Sequence, residues 1–227
     1  MNRWLHSFKY AYEGLSYAYS TQKNMRFHFF AGIIVLIFAI YFELPQLEIL
    51  FVCTVICLVI VMELINTAIE KTIDLTVKDK HPIAKIAKDV AAAAVLVSAV
   101  FAVIVGLVVF YNPILIWING EFVKTHEISR VITLVVLSLV FLCTIVIQQT
   151  IFNKKNTTQI NLMSALNASA LTMVVLSDTN AIHILLTCFI SILLVSVLLA
   201  QKEIKISSIL YGGVLGTILT LFIYFFI

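Results

Sequence analysis

Apolar residues run on along most of this chain for the length of a membrane crossing, and polar residues gather at the ends of those runs. The runs lie near 28–43, 47–70, 88–111, 131–151, 160–177, 182–200 and 206–227. A helix needs about 20 apolar residues to cross a hydrocarbon core of about 30 Å, so seven transmembrane helices are expected. The first is short, closed by Glu43 and Pro45, and calls for local bilayer thinning or shielding by its neighbours. Residues 2–20 interleave Arg3, His6, Lys9, Tyr10 and Tyr12 with apolar positions, which predicts an interfacial amphipathic helix and not a cleavable signal. The expected fold class is all-α, a polytopic membrane helix bundle with three spans in residues 1–112 and four in 113–227.

One apolar run is interrupted in a periodic way. Within Met62-Glu63-Leu64-Ile65-Asn66-Thr67-Ala68-Ile69-Glu70, helical geometry of about 100° per residue puts Glu63, Asn66 and Glu70 inside an arc of roughly 60°. Asp74 widens that stripe to only about 80°. Ionisable groups at span depth are costly and mark function by default. A purely structural role, interhelical hydrogen bonding, fits a single Asn or Glu better than it fits this set.

Composition agrees with the span pattern: 62% of residues are hydrophobic, 12% are charged, and the mean hydropathy is +1.07. Such a chain is not an ordinary soluble domain. If the spans alternate from a cytoplasmic N-terminus, thirteen of the fifteen Lys and Arg residues fall on one side, leaving only Lys124 and Arg130 on the other. That asymmetry predicts a multi-pass protein of the bacterial cell membrane with its N-terminus in the cytoplasm and its C-terminus outside. The net charge of +3 belongs to loops that would meet anionic lipid, and nucleic acid is not an expected partner. Cys53, Cys57, Cys143 and Cys188 all lie inside spans without metal-ligand spacing and read as buried apolar thiols.

The polar inventory is uneven. Residues 1–112 hold Glu63, Asn66, Glu70, Asp74, Asp79, His81, Lys88 and Asp89 near the cytoplasmic ends of two spans, whereas the second half has little comparable. The segment from Asn112 to Arg130, with Pro113, Asn119 and Gly120, reads as an outer-face linker and sets the division between 112 and 113. A basic loop from Lys71 to Ala87 leads to Lys88, which can neutralise phosphate charge, while a glutamate on the preceding helix can ligate Mg²⁺ bridging the same phosphates. A deeper carboxylate could accept the proton of a lipid hydroxyl. A proton or ion path would use a similar stripe but would leave the basic loop without a role.

At these residues the sequence resembles the prokaryotic diacylglycerol kinase and undecaprenol kinase family. The likeness is carried by Glu63 to Glu70, Asp74, His81-Pro82 and Ala87-Lys88-Asp89-Val90-Ala91-Ala92-Ala93-Ala94-Val95, and upstream by Ser7 to Ala11, Gly14 and Asn24-Met25-Arg26-Phe27-His28. It covers roughly residues 1–112. The resemblance implies a three-span kinase, a homotrimer with shared active sites, which moves the γ-phosphate of ATP to a membrane lipid alcohol. By the same resemblance, Glu63 is the catalytic base, Glu70 a Mg²⁺ ligand, Asn66 a polar neighbour on the substrate side and Arg3 a substrate contact. Tyr10, Asp79, His81, Lys88 and Asp89 would meet the nucleotide. One position departs: the second metal-binding glutamate is here Gln22, whose amide oxygen can coordinate but brings no charge. Undecaprenol is expected as acceptor ahead of diacylglycerol, from the Asn24 to His28 and His81-Pro82 variants. The alternative is a pseudokinase or structural module that binds nucleotide or lipid without turnover.

The second half, 113–227, resembles the membrane part of a type 2 phosphatidic acid phosphatase at Met163 to Leu171, Leu199-Ala200-Gln201 and Gly212 to Gly216. Leu166 and Asn167 stand where that family has Gly-His, and Ser207 stands where its nucleophile would be, so no phosphohistidine chemistry is expected. Four helices with no such ancestry would read the same way.

Overall fold

The computed structural model describes residues 3–77, 81–120, 130–152, 160–177, 180–200 and 204–226. Every regular element among them is helical, and the chain divides into two compact units, Met1–Lys124 and Thr125–Ile227. The protein is a polytopic membrane helix bundle: among the described residues five helices are long and apolar enough to cross a bilayer, and two shorter apolar helices accompany them.

The first unit contains α1 (Arg3–Thr21), α2 (Lys23–Tyr41), α3 (Gln46–Thr76) and α4 (Pro82–Ile118). Gln22 separates α1 from α2 with extended backbone, φ −98° and ψ 123°. The short α2–α3 turn is closed by two backbone bonds at the end of α2. Leu44 N–H reaches Ala39 O at 3.1 Å and Glu43 N–H reaches Ile40 O at 3.0 Å, with Glu43 in the left-handed region at φ 49°. Buried Leu44 pins the turn, and Pro45 starts α3.

At 1.5 Å per residue, the 31 residues of α3 and 37 of α4 measure about 46 Å and about 55 Å, more than the hydrocarbon thickness. Their ends therefore leave the apolar layer, and there the charged residues sit. Two expectations need correction. The segment from Asn112 to Ile118 is not linker, because α4 continues through Pro113 to Ile118 and the expected division at 112/113 falls inside it. A proline forfeits one backbone bond, which a long membrane helix tolerates. The first span also starts earlier, at Lys23 instead of 28, since Gln22 is the break.

The second unit holds α5 (Arg130–Ile147), continued by a π-helical turn at Gln148–Phe152, then α6 (Leu162–Ser177), α7 (Ala181–Leu199) and α8 (Ile206–Phe226). Ile132, Val136, Val140, Ala165 and Met173 form its buried core. Helices α6 and α8 approach closely because Gly212 faces the Asn161 carbonyl and Gly216 the Ala165 carbonyl with no Cβ between them. Hydroxyls join the same seam: Ser164 Oγ donates to Ile209 O at 2.6 Å and Thr220 Oγ1 lies 2.7 Å from Ser169 Oγ.

A methyl at Gly216 would meet the Ala165 backbone, whereas one at Gly106 meets nothing within 4 Å. Gly216→Ala is therefore expected to cost about 1–3 kcal/mol, and Gly106→Ala to leave stability unchanged or slightly raised. Thermal unfolding of both variants in detergent checks this pair.

Candidate active site

The buried face of α3 reads Val52, Val55, Val59 and then, without leaving the face, Glu63, Asn66 and Thr67. Glu63 is 1% exposed and Asn66 6%. Asn66 Nδ2 donates to Glu70 Oε1 at 3.4 Å, one turn on, and Thr67 Oγ1 donates to the Glu63 carbonyl at 2.8 Å. Glu63 Oε2 and Asn66 Oδ1 are buried with no hydrogen-bond partner among the described residues. Buried polar atoms are nearly always satisfied, so two orphans on adjacent turns are exceptional and mark the place where a ligand's polar group would bond.

Further toward the end of α3, Asp74 Oδ1 accepts from Lys88 Nζ of α4 at 2.5 Å. The pair is largely open to solvent and contributes little to stability, but it fixes where an ammonium stands at the head of the stripe. The stripe therefore grades from a dry carboxylate, through an amide–carboxylate pair, to a wet ion pair.

The other expected site residues are placed less centrally. His81 does not project as a free ring from a loop: it caps α4, its Nδ1 accepting the Ile83 N–H at 3.3 Å, which requires the proton of the neutral ring to sit on Nε2. Asp89 and Tyr10 stand exposed on α4 and α1. Gln22 is half-buried and spends no side-chain bond on capping α2. Asp79 and the side chain of Arg3 lie outside the described residues. Tyr12 was not among the expected site residues, yet its hydroxyl is another buried atom with no partner among the described residues, and burial pushes its phenol pKa up. Its spacing from buried Tyr19, two turns along α1, is the only signal that could have found it.

No group of three His, Cys, Asp or Glu side chains gathers as a metal site among the described residues. Magnesium at nucleotide sites commonly takes only one or two protein oxygens, with phosphate and water completing its shell. Half-buried Glu70 and the amide of Gln22, which makes no capping bond, carry oxygens of the kind such an ion would take.

Fold and site together define a multi-pass membrane protein with a carboxylate centre at span depth. Residues 9–110 match the model of the prokaryotic diacylglycerol kinase family. A diacylglycerol kinase of Synechocystis sp. is 46% identical over 110 residues, covering 48% of this chain and 63% of the relative's own length. An undecaprenol kinase of Bacillus subtilis is 42% identical over 110 residues, 89% of its length, and a diacylglycerol kinase of Helicobacter pylori 35% identical over 92 residues, 72% of its length. No solved structure matches the chain significantly. The chain belongs to the prokaryotic diacylglycerol kinase family, a family of lipid kinases.

A carboxyl left unpartnered in a dry core costs about 1–3 kcal/mol. Glu63→Met, close in length and apolar, is therefore expected to raise the thermal unfolding temperature. An unchanged or lowered temperature would show that the carboxyl is paired in the folded protein.

Proposed function

We propose that this protein transfers the γ-phosphoryl group of ATP to the hydroxyl of a lipid alcohol at the membrane, with Glu63 accepting the proton. The observation that carries this reading is the burial of Glu63 with a free carboxylate oxygen at span depth. A base in that position is out of reach for a water-soluble alcohol and well placed for one that already resides in the bilayer.

In the step proposed, the lipid oxygen attacks the γ-phosphorus as its O–H proton passes to Glu63. The bond from the γ-phosphorus to the bridging oxygen breaks, leaving its electron pair on ADP. Asn66 orients Glu70 through their hydrogen bond, and its unpartnered Oδ1 is available to the substrate. Lys88 offers positive charge to the phosphates, at the cost of loosening its pair with Asp74. Asp79, His81, Asp89 and Tyr10 would surround the nucleotide and Arg3 the substrate side. Mg²⁺ bound to Glu70 and Gln22 would neutralise charge on the transferring phosphate. With an amide in place of a second carboxylate, that ion is held less tightly.

Undecaprenol is proposed as the acceptor ahead of diacylglycerol, on the strength of the Asn24 to His28 and His81-Pro82 segments. Homologues named for either lipid are comparably similar, so the assay must include both. The proposed assembly is a homotrimer, and the proposed orientation puts the N-terminus and the Asp74–Lys88 end in the cytoplasm, where the basic residues concentrate. The second unit is proposed to be a non-catalytic phosphatase-like domain. Asn167, which replaces the expected histidine, is committed to α7, where Ser191 Oγ donates to its Oδ1 at 3.0 Å.

Purified protein in mixed micelles with ATP and Mg²⁺ is expected to phosphorylate undecaprenol or diacylglycerol, and Glu63→Gln to lower kcat at least ~100-fold, the scale of a lost general base. Absence of turnover with both lipids would refute the kinase reading. Gln22→Glu is expected to lower the Mg²⁺ concentration at half-maximal rate, as titration of the metal would reveal.

A further inference from the structure

Helix α2 sorts its residues by burial around its circumference. Met25, Phe29, Leu36 and Ile40 are buried and share one side, with Gly32 and Ala39 among them. Lys23, Arg26, Phe27, Phe30, Ile34 and Phe38 are exposed and fall within roughly 120° of arc on the other side. The two cations come first, about one turn apart, and the apolar positions follow. From Phe27 to Phe38 the row runs about 16 Å along the axis, close to one leaflet of a hydrocarbon layer of about 30 Å. At its foot Phe38 stacks on Phe42 with ring centroids 6.2 Å apart.

The head of this strip is held by the end of α1. The Ser20 and Thr21 hydroxyls both donate to the Tyr17 carbonyl, at 2.9 and 2.8 Å, and close that end. Buried Tyr19 sets its ring edge-on to Phe29, centroids 5.3 Å apart. Burial raises the Tyr19 phenol pKa and the charge of nearby Arg26 opposes the rise, so the guanidinium stands at this corner. No acidic residue lies in the first turn of α2, and neither Lys23 nor Arg26 has an ion-pair partner among the described residues. Cations there face the positive end of the helix dipole and work against the helix that carries them.

We infer that this strip is a seat for one lipid phosphomonoester, its phosphate between Lys23 and Arg26 and its tail along the row from Phe27 to Phe38. Charge selects the headgroup. A phosphomonoester carries about −1.5 to −2 at neutral pH, which two cations match, whereas a phosphodiester brings one charge and a lipid alcohol none. Composition argues against a second copy of the chain on this face. Membrane helices pack on one another through small residues, and α2 turns its Gly32 and Ala39 inward. Another α2 would also bring two more cations to the contact. The kinase reading is needed only for the origin of the lipid, since phosphorylating a lipid alcohol makes such a monoester. The short turn between α2 and α3 sets the two helices antiparallel, so the head of the strip lies toward the Glu70–Asp74 end of α3.

The test uses the full chain in phosphatidylcholine nanodiscs without ATP. In Phe30→Trp, dioleoyl phosphatidate bearing a nitroxide on its chain is expected to quench the added tryptophan more than phosphatidylglycerol or phosphatidylcholine labelled the same way, after the emission of Trp4 and Trp117 is subtracted. Adding Lys23→Gln and Arg26→Gln is expected to raise the phosphatidate mole fraction at half-maximal quenching about tenfold to thirtyfold, the scale of two cations at a membrane surface. Lys85→Gln with Lys205→Gln, the same charge lost elsewhere, should leave it unchanged, and inorganic phosphate should not displace the labelled lipid. Equal quenching by the three lipids, equal weakening by both charge pairs, or displacement by inorganic phosphate overturns the seat. Selective quenching by a protein that phosphorylates neither undecaprenol nor diacylglycerol would keep the seat and overturn the kinase reading, whereas turnover without selective quenching would overturn the seat alone.

Discussion

The first unit is organised around the cost of keeping one carboxylate in hydrocarbon. Placing an acidic side chain at the centre of a membrane helix costs roughly 2.5–3.5 kcal/mol on insertion scales. Glu63 bears that cost with one oxygen unpartnered among the described residues, on a face that up to that point is isoleucine and valine. Such a residue persists in a fold only if its surroundings are stable enough to hold it. Buried Val52, Val55 and Val59 on α3 and buried Phe29 and Leu36 on α2 supply that stability, and the long helices give the stripe its reach from dry core to wet end.

The grading of polarity along α3 separates two tasks. A base acting on a lipid hydroxyl benefits from a dry site, where no water competes for the proton and where the acceptor's tail is at home. Phosphate recognition needs charge, and charge is tolerated only where water can reach it. Glu63 and the Asp74–Lys88 pair are about 16 Å apart along the helix axis, too far for one atom to bridge. The amide of Asn66 and the half-buried Glu70 occupy the interval. In the proposed reaction the phosphorus would meet the lipid hydroxyl there, so the spacing of four side chains on one helix would set the depth of transfer.

Much of this was legible in the sequence because membranes impose simple periodicities. Five of the seven expected spans fall on helices long and apolar enough to cross, while those at 131–151 and 160–177 fall on shorter apolar helices; the stripe followed from 3.6-residue spacing. What escaped is instructive. The continuation of α4 past Pro113 was hidden because proline is a breaker in water but tolerable in a bilayer helix. His81 was expected beside the nucleotide from resemblance alone; that a side-chain acceptor just before a proline at the first helical position is also an N-cap signal went unread, and the structure shows that cap. Gln22 was noticed as a chemical substitution, but its backbone role, the extended break that frees α2 from α1, lies outside what residue type alone conveys.

The second unit handles buried polarity in the opposite way. Its inward hydroxyls and amides are paired with each other or with carbonyls: Ser164 with Ile209, Ser169 with Thr220, Asn167 with Ser191, and Gln148 Oε1 with the Ile160 N–H at 2.6 Å. Glycines bring α6 and α8 close enough for those short side chains to reach. Satisfied polar groups in a membrane interior favour one packing arrangement over others, since any slip in register strands them. Orphaned ones do the reverse and invite a ligand. Glu63 and Asn66 each keep a buried oxygen with no partner among the described residues, whereas Ser169 and Asn167 are bonded, which is the physical difference between a stripe open to a ligand and a seam built to hold.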